Sequence, residues 1–189
     1  MHSAWIHEKC MTGILQCMSA MPCRVVRVRG SILPRNRDVL TKMFLESDCS
    51  HLLCLDTDIG WRFEHLQRLL GARKGCVSGV YCQRTPEREL PFEFTESRFG
   101  ELKEASSAPA GFMLLERELV EAVCREFRYL SYDAQGMELV GLWHPELGMS
   151  EDYSFCSRVR AIGSCVWVDP GVVVSHFGEC EYRPLVPAT

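Results

Sequence analysis

Two aspartates that follow a short apolar segment have the spacing that most directly suggests chemistry in this sequence. Asp56 and Asp58 come directly after Leu52–Leu55, a run typical of a buried strand. Side chains two positions apart in an extended chain point to the same side. Their oxygens are hard ligands that suit Mg²⁺ or Mn²⁺ and a phosphate-bearing substrate. The spacing alone is equally compatible with an acidic strand end that leads into a polar turn.

Three further segments carry groups that suit an anion or a metal ion. Arg35 and Asn36 open a predicted helix, where a guanidinium, an amide and the positive end of the helix dipole can meet a phosphate. Glu151 and Asp152 lie in the first turn of another predicted helix. His176 ends an apolar segment and could be a third metal ligand. Each has a structural alternative: helix capping by Asn36, the dipole preference for acids in a first turn, and a structural histidine.

The elements that must position these groups alternate between helix and strand. The spacing of apolar residues predicts helices near residues 5–18, 36–44, 63–70, 119–127 and 150–162. It predicts strands at 24–29, 51–56, 76–82, 165–168 and 172–176, and an irregular functional loop at 128–149. Helices interleaved with buried strands predict an α/β protein with a mostly parallel sheet. In such sheets ligands bind at the carboxyl ends of the strands, where the two aspartates lie.

Length and composition limit the classes of protein to consider. The chain has 189 residues, of which 47% are hydrophobic and 24% charged, with a net charge of −4. These values predict one globular domain and argue against nucleic-acid partners. No apolar run reaches the roughly 18 residues of a membrane span, and the first residues lack a signal-peptide pattern, so we expect a cytoplasmic location. None of the eleven cysteines forms a C-x-x-C pair, and an odd number in a chain without a secretion signal favours free buried thiols.

Taken in order, the segments resemble the GT-A glycosyltransferases, in particular the family-2-like enzymes of viruses, phages and bacteria. The matching segments are Pro34–Asn36, Cys54–Trp61, Val77–Tyr81, Ala110–Leu114, Ser150–Phe155 and Val174–Gly178. The resemblance runs from about residue 30 to residue 182. It implies a single catalytic domain over residues 1–189, folded as a three-layer α/β/α sandwich with a mostly parallel central sheet.

The resemblance also implies an activity. A sugar would pass from a nucleotide-diphosphate donor to the hydroxyl of a glycan or other acceptor, with Mn²⁺ or Mg²⁺ as cofactor. The metal ligands would be Asp56, Asp58 and His176, and the acceptor-side base would be Asp152, with Glu151 as the next candidate. The residues at the donor and sugar would be Arg35, Asn36, Asp56, Thr57, Asp58, Gly111 and Phe112.

One departure from the family pattern affects what we expect of the activity. Members begin with a strand and a loop that binds the nucleobase, and we find no such strand before the first predicted helix. The chain would then be incomplete at its N-terminus, or would borrow a strand from a second copy in a homodimer. The remaining alternative is a degenerate GT-A domain that binds a nucleotide or glycan without turnover. A phosphatase of the haloacid dehalogenase kind also uses Asp-x-Asp, but its other motif residues are not evident.

Overall fold

Helices and short strands alternate along the residues that the computed structural model describes, which are 5–85, 90, 101–178 and 180–184. The helices are α1 (Glu8–Ala20), α2 (Leu33–Leu45), α3 (Phe63–Gly71), α4 (Arg117–Glu126) and α5 (Glu151–Ala161). The strands are β1 (His51–Leu55), β2 (Ile59–Gly60), β3 (Cys76–Val80), β4 (Lys103–Ala105), β5 (Phe112–Glu116), β6 (Ser131–Asp133), β7 (Glu138–Val140), β8 (Val166–Val173), β9 (Ser175–Phe177) and β10 (Glu181–Tyr182). The prediction of an α/β protein is confirmed.

The central sheet has the strand order β1-β5-β3-β8-β4. Among the strands of the described residues, only β3 and β8 pair in parallel, whereas β1 with β5, β3 with β5 and β4 with β8 are antiparallel. The prediction of a mostly parallel sheet is therefore wrong, because most pairs of adjacent strands in the described sheet are antiparallel. The physical reason is the position of β5, which runs back between β1 and β3 and so separates two strands of the same direction. An apolar run indicates that a strand is buried but not which way it runs.

Helices cover both faces of this sheet because its strands are apolar on both sides. On one face, residues such as Cys76 and Met113 pack in a hydrophobic core with α2, α4 and α5. On the other, their neighbours Val77 and Leu114 belong to a second core, formed with α1 and α3. The alternation follows from the period of two along a strand. The result is three layers, with β1 at one edge of the described sheet.

A small second sheet, β10-β9-β2, determines where the aspartate turn meets the end of the chain. Ile59 of β2 pairs with His176 of β9, and the Phe177 N–H donates to the Asp58 carbonyl at 2.8 Å. Since strand pairing fixes register, the residue before β2 and the histidine of β9 must be neighbours.

Several predicted elements differ from those in the structure. No strand forms at 24–29, and the loop predicted at 128–149 contains the hairpin of β6 and β7. Helix α2 begins at Leu33 rather than Asn36, with Pro34 in its first turn and no side-chain cap, as proline favours. Ser150 does cap α5, where its Oγ accepts from the Tyr153 N–H at 3.4 Å. All eleven cysteines are free. Among the described residues, no helix has the length and apolar character that crossing a membrane requires.

Candidate functional site

The turn after β1 holds the two aspartates at the carboxyl end of that strand. The Asp56 N–H donates to the Gly111 carbonyl at 3.0 Å, and the Ile59 N–H donates to the Asp56 carbonyl at 3.2 Å. The carbonyl of Thr57, a half-buried residue between them, accepts from the His7 N–H at 2.8 Å. The turn is thereby bonded to β5 on one side and to the start of α1 on the other.

Asp58 lies between a histidine and an arginine. Its Oδ2 is 3.7 Å from His176 Nε2 and 2.9 Å from Arg84 Nη1. His176 Nδ1 is 3.0 Å from the Cys82 carbonyl, and because a carbonyl only accepts, Nδ1 carries the hydrogen. The other ring nitrogen, Nε2, then faces the Asp58 carboxylate. Burial acts to raise the pKa of Asp58, but His176 and Arg84 outweigh it and lower this pKa below its usual value.

The fit of this site to a divalent metal ion depends on Asp58 and His176. Among the described residues, no group of three or more His, Cys, Asp or Glu side chains has an arrangement that could hold a metal ion. Asp56, predicted as a ligand, instead pairs with Arg37 at 3.3 Å. A histidine with its Nδ1–H on a carbonyl and its Nε2 next to a carboxylate is nevertheless a common preparation for metal binding. Two protein ligands suffice where substrate phosphates and water complete the coordination, as is usual for Mg²⁺.

Arg37 of α2 joins the aspartate turn to the acidic pair of α5. Its side chain is only 6% exposed, and it donates to Asp56 and to Asp152. Its Nη1 also lies 3.4 Å from Glu151 Oε1. Burial would lower the pKa of Arg37, but the surrounding carboxylates outweigh burial and raise it. One buried cation therefore draws together three carboxylates from two distant segments.

Sequence reasoning missed Arg37, and helical spacing could have found it. Arg37, Thr41 and Phe44 are buried residues of α2 at positions i, i+4 and i+7, which lie on one face of a helix. An arginine in phase with a buried face is a candidate for an internal ion pair rather than for solvent.

The two acidic residues at the start of α5, Glu151 and Asp152, differ in their contacts and in their pKa values. Asp152 Oδ1 accepts from Arg37, and its Oδ2 accepts from the Ala110 N–H at 3.0 Å. Burial acts to raise the pKa of Asp152, but Arg37 and its hydrogen bonds outweigh burial and lower it. The pKa of Glu151 is raised, first by burial and then by the neighbouring Asp152 carboxylate. Asp152 therefore stays ionised, whereas Glu151 holds a proton more readily.

Gly111 lies next to Asp56 at a point where no side chain fits. Its N–H donates to the Tyr81 hydroxyl at 2.9 Å. A Cβ at this position would be 2.4 Å from that hydroxyl and 3.0 Å from Asp56 Oδ2. The absence of a side chain thus lets β5 approach the aspartate turn. Phe112, predicted beside the sugar, is a correction, because its side chain is completely buried and packs against Trp61 in the core.

The two residues predicted to line the donor pocket from α2 make their described contacts elsewhere. Arg35 Nη2 donates to Gln135 Oε1 at 3.1 Å, and Asn36 Nδ2 donates to the Gly30 carbonyl at 3.0 Å. Both are half-buried. In the described chain it is Arg37, one residue further on, that contacts the aspartate turn and α5.

Comparison with known proteins shows a likeness in fold. No family model matches the chain, and no curated protein matches it. Among solved structures, A197 from STIV matches with a TM-score of 0.54 and 18% sequence identity. The match covers 82% of this chain and 72% of that chain. At this level of identity the likeness concerns the fold alone.

Proposed function

We propose that this protein is a metal-dependent glycosyltransferase of the GT-A kind, which transfers a sugar from a nucleotide-diphosphate donor to an acceptor hydroxyl. The observation that supports it best is the meeting of two acidic motifs at Arg37, which contacts Asp56 after β1 and both Glu151 and Asp152 at the start of α5. Donor activation and proton removal need acidic groups close together but in different environments. The resemblance in the sequence assigns these two motifs to the donor and the acceptor.

In this proposal the donor diphosphate binds near Asp58. Asp58 Oδ2 and His176 Nε2 would hold the Mn²⁺ or Mg²⁺ ion, which when bound supplies a Lewis acid for the charge that develops on the departing diphosphate. Arg84, which donates to Asp58 Oδ2, has a guanidinium suited to phosphate oxygens. Gly111, predicted beside the sugar, instead lets the backbone before β5 pack against Tyr81 and Asp56, so we assign it no contact with the donor.

The acidic pair, Glu151 and Asp152, would accept the proton of the acceptor hydroxyl. Both oxygens of Asp152 accept hydrogen bonds within the protein, and its lowered pKa makes it a weak base. Glu151 has a raised pKa and a more distant contact with Arg37. A general base works best when its pKa lies nearer the working pH. We therefore assign proton acceptance to Glu151. The role of Asp152 is to position Arg37 and Glu151.

A degenerate domain that binds a nucleotide or glycan without turnover is the second candidate. The observation that favours this candidate is that each aspartate already contacts an arginine. Asp56 and Asp152 contact Arg37, and Asp58 contacts Arg84. Ion pairs of this kind stabilise a site that does not have to change during a reaction.

A thermal-shift screen of nucleotide sugars with and without Mn²⁺ tests both candidates, because selective binding raises the melting temperature by mass action. Each donor that stabilises the protein is then assayed for hydrolysis and for transfer to simple sugars. Stabilisation that needs Mn²⁺, together with turnover, supports the transferase. Stabilisation without turnover supports the degenerate domain, and a protein that responds to no nucleotide sugar is neither.

A further inference from the structure

Exposed apolar side chains are concentrated in the first part of the described chain. Of the twelve large hydrophobic residues that are exposed in the whole described chain, seven lie between residues 5 and 32, so this part of the surface is unusually apolar. The most exposed of these seven are Trp5 at 81%, Leu15 at 56%, Met18 at 55% and Ile32 at 55%. A clustered apolar surface of this kind usually marks an interaction site.

Helix α1 carries apolar residues on its outer face as well as its inner face. Cys10, Gly13 and Cys17 are buried against the protein, whereas Met11, Leu15 and Met18 are exposed. The spacing i, i+4 and i+7 places these three on one stripe of the helix. Packing onto the protein core requires only the inner face, so the outer stripe is not explained by the fold.

The segment that follows α1 is positively charged. The Cys23 thiol contacts the thiol of Cys17, which keeps the start of the segment against the last turn of α1. The exposed arginines that follow, Arg24, Arg27 and Arg29, are interspersed with the exposed valines. Residues 5–32 contain four basic residues and one acidic residue, in a chain whose net charge is −4.

We propose that this surface, formed by α1 and residues 21–32, docks the protein on a lipid bilayer that contains anionic lipids. The apolar stripe and Trp5 would enter the boundary between headgroups and acyl chains, and the arginines would contact lipid phosphates. A second copy related by two-fold symmetry would bring the same arginines together, which is unfavourable. A nucleic acid would pair with the arginines but leave the stripe in water. The inference does not depend on the proposed function.

Docking in this way also fixes the position of the candidate site relative to the bilayer. His7, the residue before α1, stacks on Phe177 with ring centroids 3.8 Å apart, and its N–H is bonded to the turn that carries Asp58. The N-terminal end of α1 is thus attached to the candidate site.

Co-sedimentation with vesicles tests the proposal. We expect the protein to bind vesicles of phosphatidylcholine mixed with phosphatidylglycerol far better than vesicles of phosphatidylcholine alone, and less well as the salt concentration rises. Two variants each change one feature: Leu15→Glu with Met18→Glu alters the stripe, and Arg24→Glu with Arg29→Glu alters the charge. Since each basic residue near an anionic membrane contributes roughly fivefold in binding, the second pair should weaken it at least ~10-fold.

The control is Leu147→Glu, which changes an even more exposed leucine outside this surface and should leave vesicle binding unchanged. Circular dichroism establishes that each variant is folded. If the variant in α1 does not fold, the arginine variant, whose substitutions lie outside helices and strands, decides alone. The proposal is overturned if the protein ignores anionic vesicles or if the folded variants bind as well as the wild type. It is also overturned if light scattering shows a dimer that the same variants dissociate.

Discussion

Arg37 and Asp152 are 115 positions apart in the chain, yet they form a hydrogen-bonded ion pair in which the side chains are 6% and 15% exposed. The pair joins the first turns of α2 to the first turn of α5 above the end of β1. Asp152 also accepts from the Ala110 N–H, so the same carboxylate is hydrogen-bonded to the segment that leads into β5. The candidate site and the packing of these elements therefore depend on one buried interaction.

The first prediction concerns this buried cation. Arg37→Met leaves Asp56, Glu151 and Asp152 without their shared countercharge, and removal of one partner from a buried pair costs about 3–5 kcal/mol. We expect a loss of this size in the free energy of unfolding at pH 7, measured by urea titration. The lowered pKa of Asp152 means that its ion pair stabilises the fold above the ordinary aspartate pKa and ceases to do so as pH falls through the folded value.

Two comparisons test that explanation. The loss in Arg37→Met should shrink at acidic pH, because the carboxylates are then protonated in both proteins. Arg37→Lys keeps the charge but not the forked donors, so it should cost less than the methionine. A methionine variant as stable as the wild type at pH 7 would show that the carboxylates do not depend on Arg37.

The sequence predicted local elements well where the apolar period was clear. The predicted helix at 63–70 corresponds to α3, and the apolar run at 51–56 corresponds to β1. It could not predict the direction of β5, because pairing is decided by the whole sheet. It also predicted a strand at 24–29 from alternating valines and arginines, but in the structure this segment pairs with no described strand. A period of two favours a strand only when a partner edge is available.

The sequence predicted the part of the candidate site in which two motifs of known order were expected to lie close together. Asp58 and His176 were expected together, and the pairing of β2 with β9 brings them to 3.7 Å. Arg37 and Arg84 were not expected, because a charged residue in a sequence is by default solvated. Helical spacing could have marked Arg37 as buried, but the partners of the two arginines lie 115 and 26 positions away, and no local pattern identifies partners at such distances.

The second prediction concerns metal and nucleotide. His176→Gln removes an imidazole whose Nε2 is next to Asp58, and Asp58→Asn removes the carboxylate charge. Each should weaken Mn²⁺-dependent nucleotide binding at least ~10-fold, as for the loss of a metal ligand or its support. Isothermal titration with and without Mn²⁺ measures the effect. His51→Gln, a half-exposed histidine at the other end of β1, is the control, and an unchanged Mn²⁺ dependence in Asp58→Asn contradicts the assignment.

The third prediction concerns the close approach at Gly111. In Gly111→Ala the new methyl group would lie 2.4 Å from the Tyr81 hydroxyl, so β5 or Tyr81 must move and a hydrogen bond is lost. Overpacking of this kind costs about 1–3 kcal/mol, which thermal unfolding detects. Gly71→Ala, at a position where a Cβ meets no atom of the described residues within 4 Å, should be neutral or stabilising. Equal stability in the two alanine variants would mean that the approach is not tight.

The fourth prediction concerns Asp38, a buried carboxyl of α2. It accepts from the Trp143 N–H at 3.1 Å and the Tyr132 hydroxyl at 3.0 Å, with His144 and Arg158 nearby. Burial raises the pKa of Asp38 from 3.8 to about 7. The folded state therefore binds more protons than the unfolded state between about pH 4 and pH 7, and stability falls as pH rises through that window.

Asp38→Asn removes this proton linkage and keeps the shape of the side chain. Relative to the wild type, the variant should gain stability steadily from about pH 4 to pH 7, by at most a few kcal/mol. Urea titrations at several pH values measure the difference between the two proteins, in which the other titrating groups cancel. A constant difference across that range would mean that Asp38 is already ionised in the folded protein at acidic pH.

The fifth prediction separates the two members of the acidic pair. Glu151→Gln removes the group with the raised pKa and only a 3.4 Å contact to Arg37, so stability should change little while sugar transfer falls at least ~100-fold. Asp152→Asn breaks a buried ion pair, so it should lower the free energy of unfolding by about 3 kcal/mol or more and weaken transfer only as far as Arg37 and Glu151 shift. Urea titration and a transfer assay on the same preparations give both quantities. If Asp152→Asn remains fully stable but inactive while Glu151→Gln transfers normally, then Asp152 is the base, and the hydrogen bonds on its two oxygens must open during the reaction.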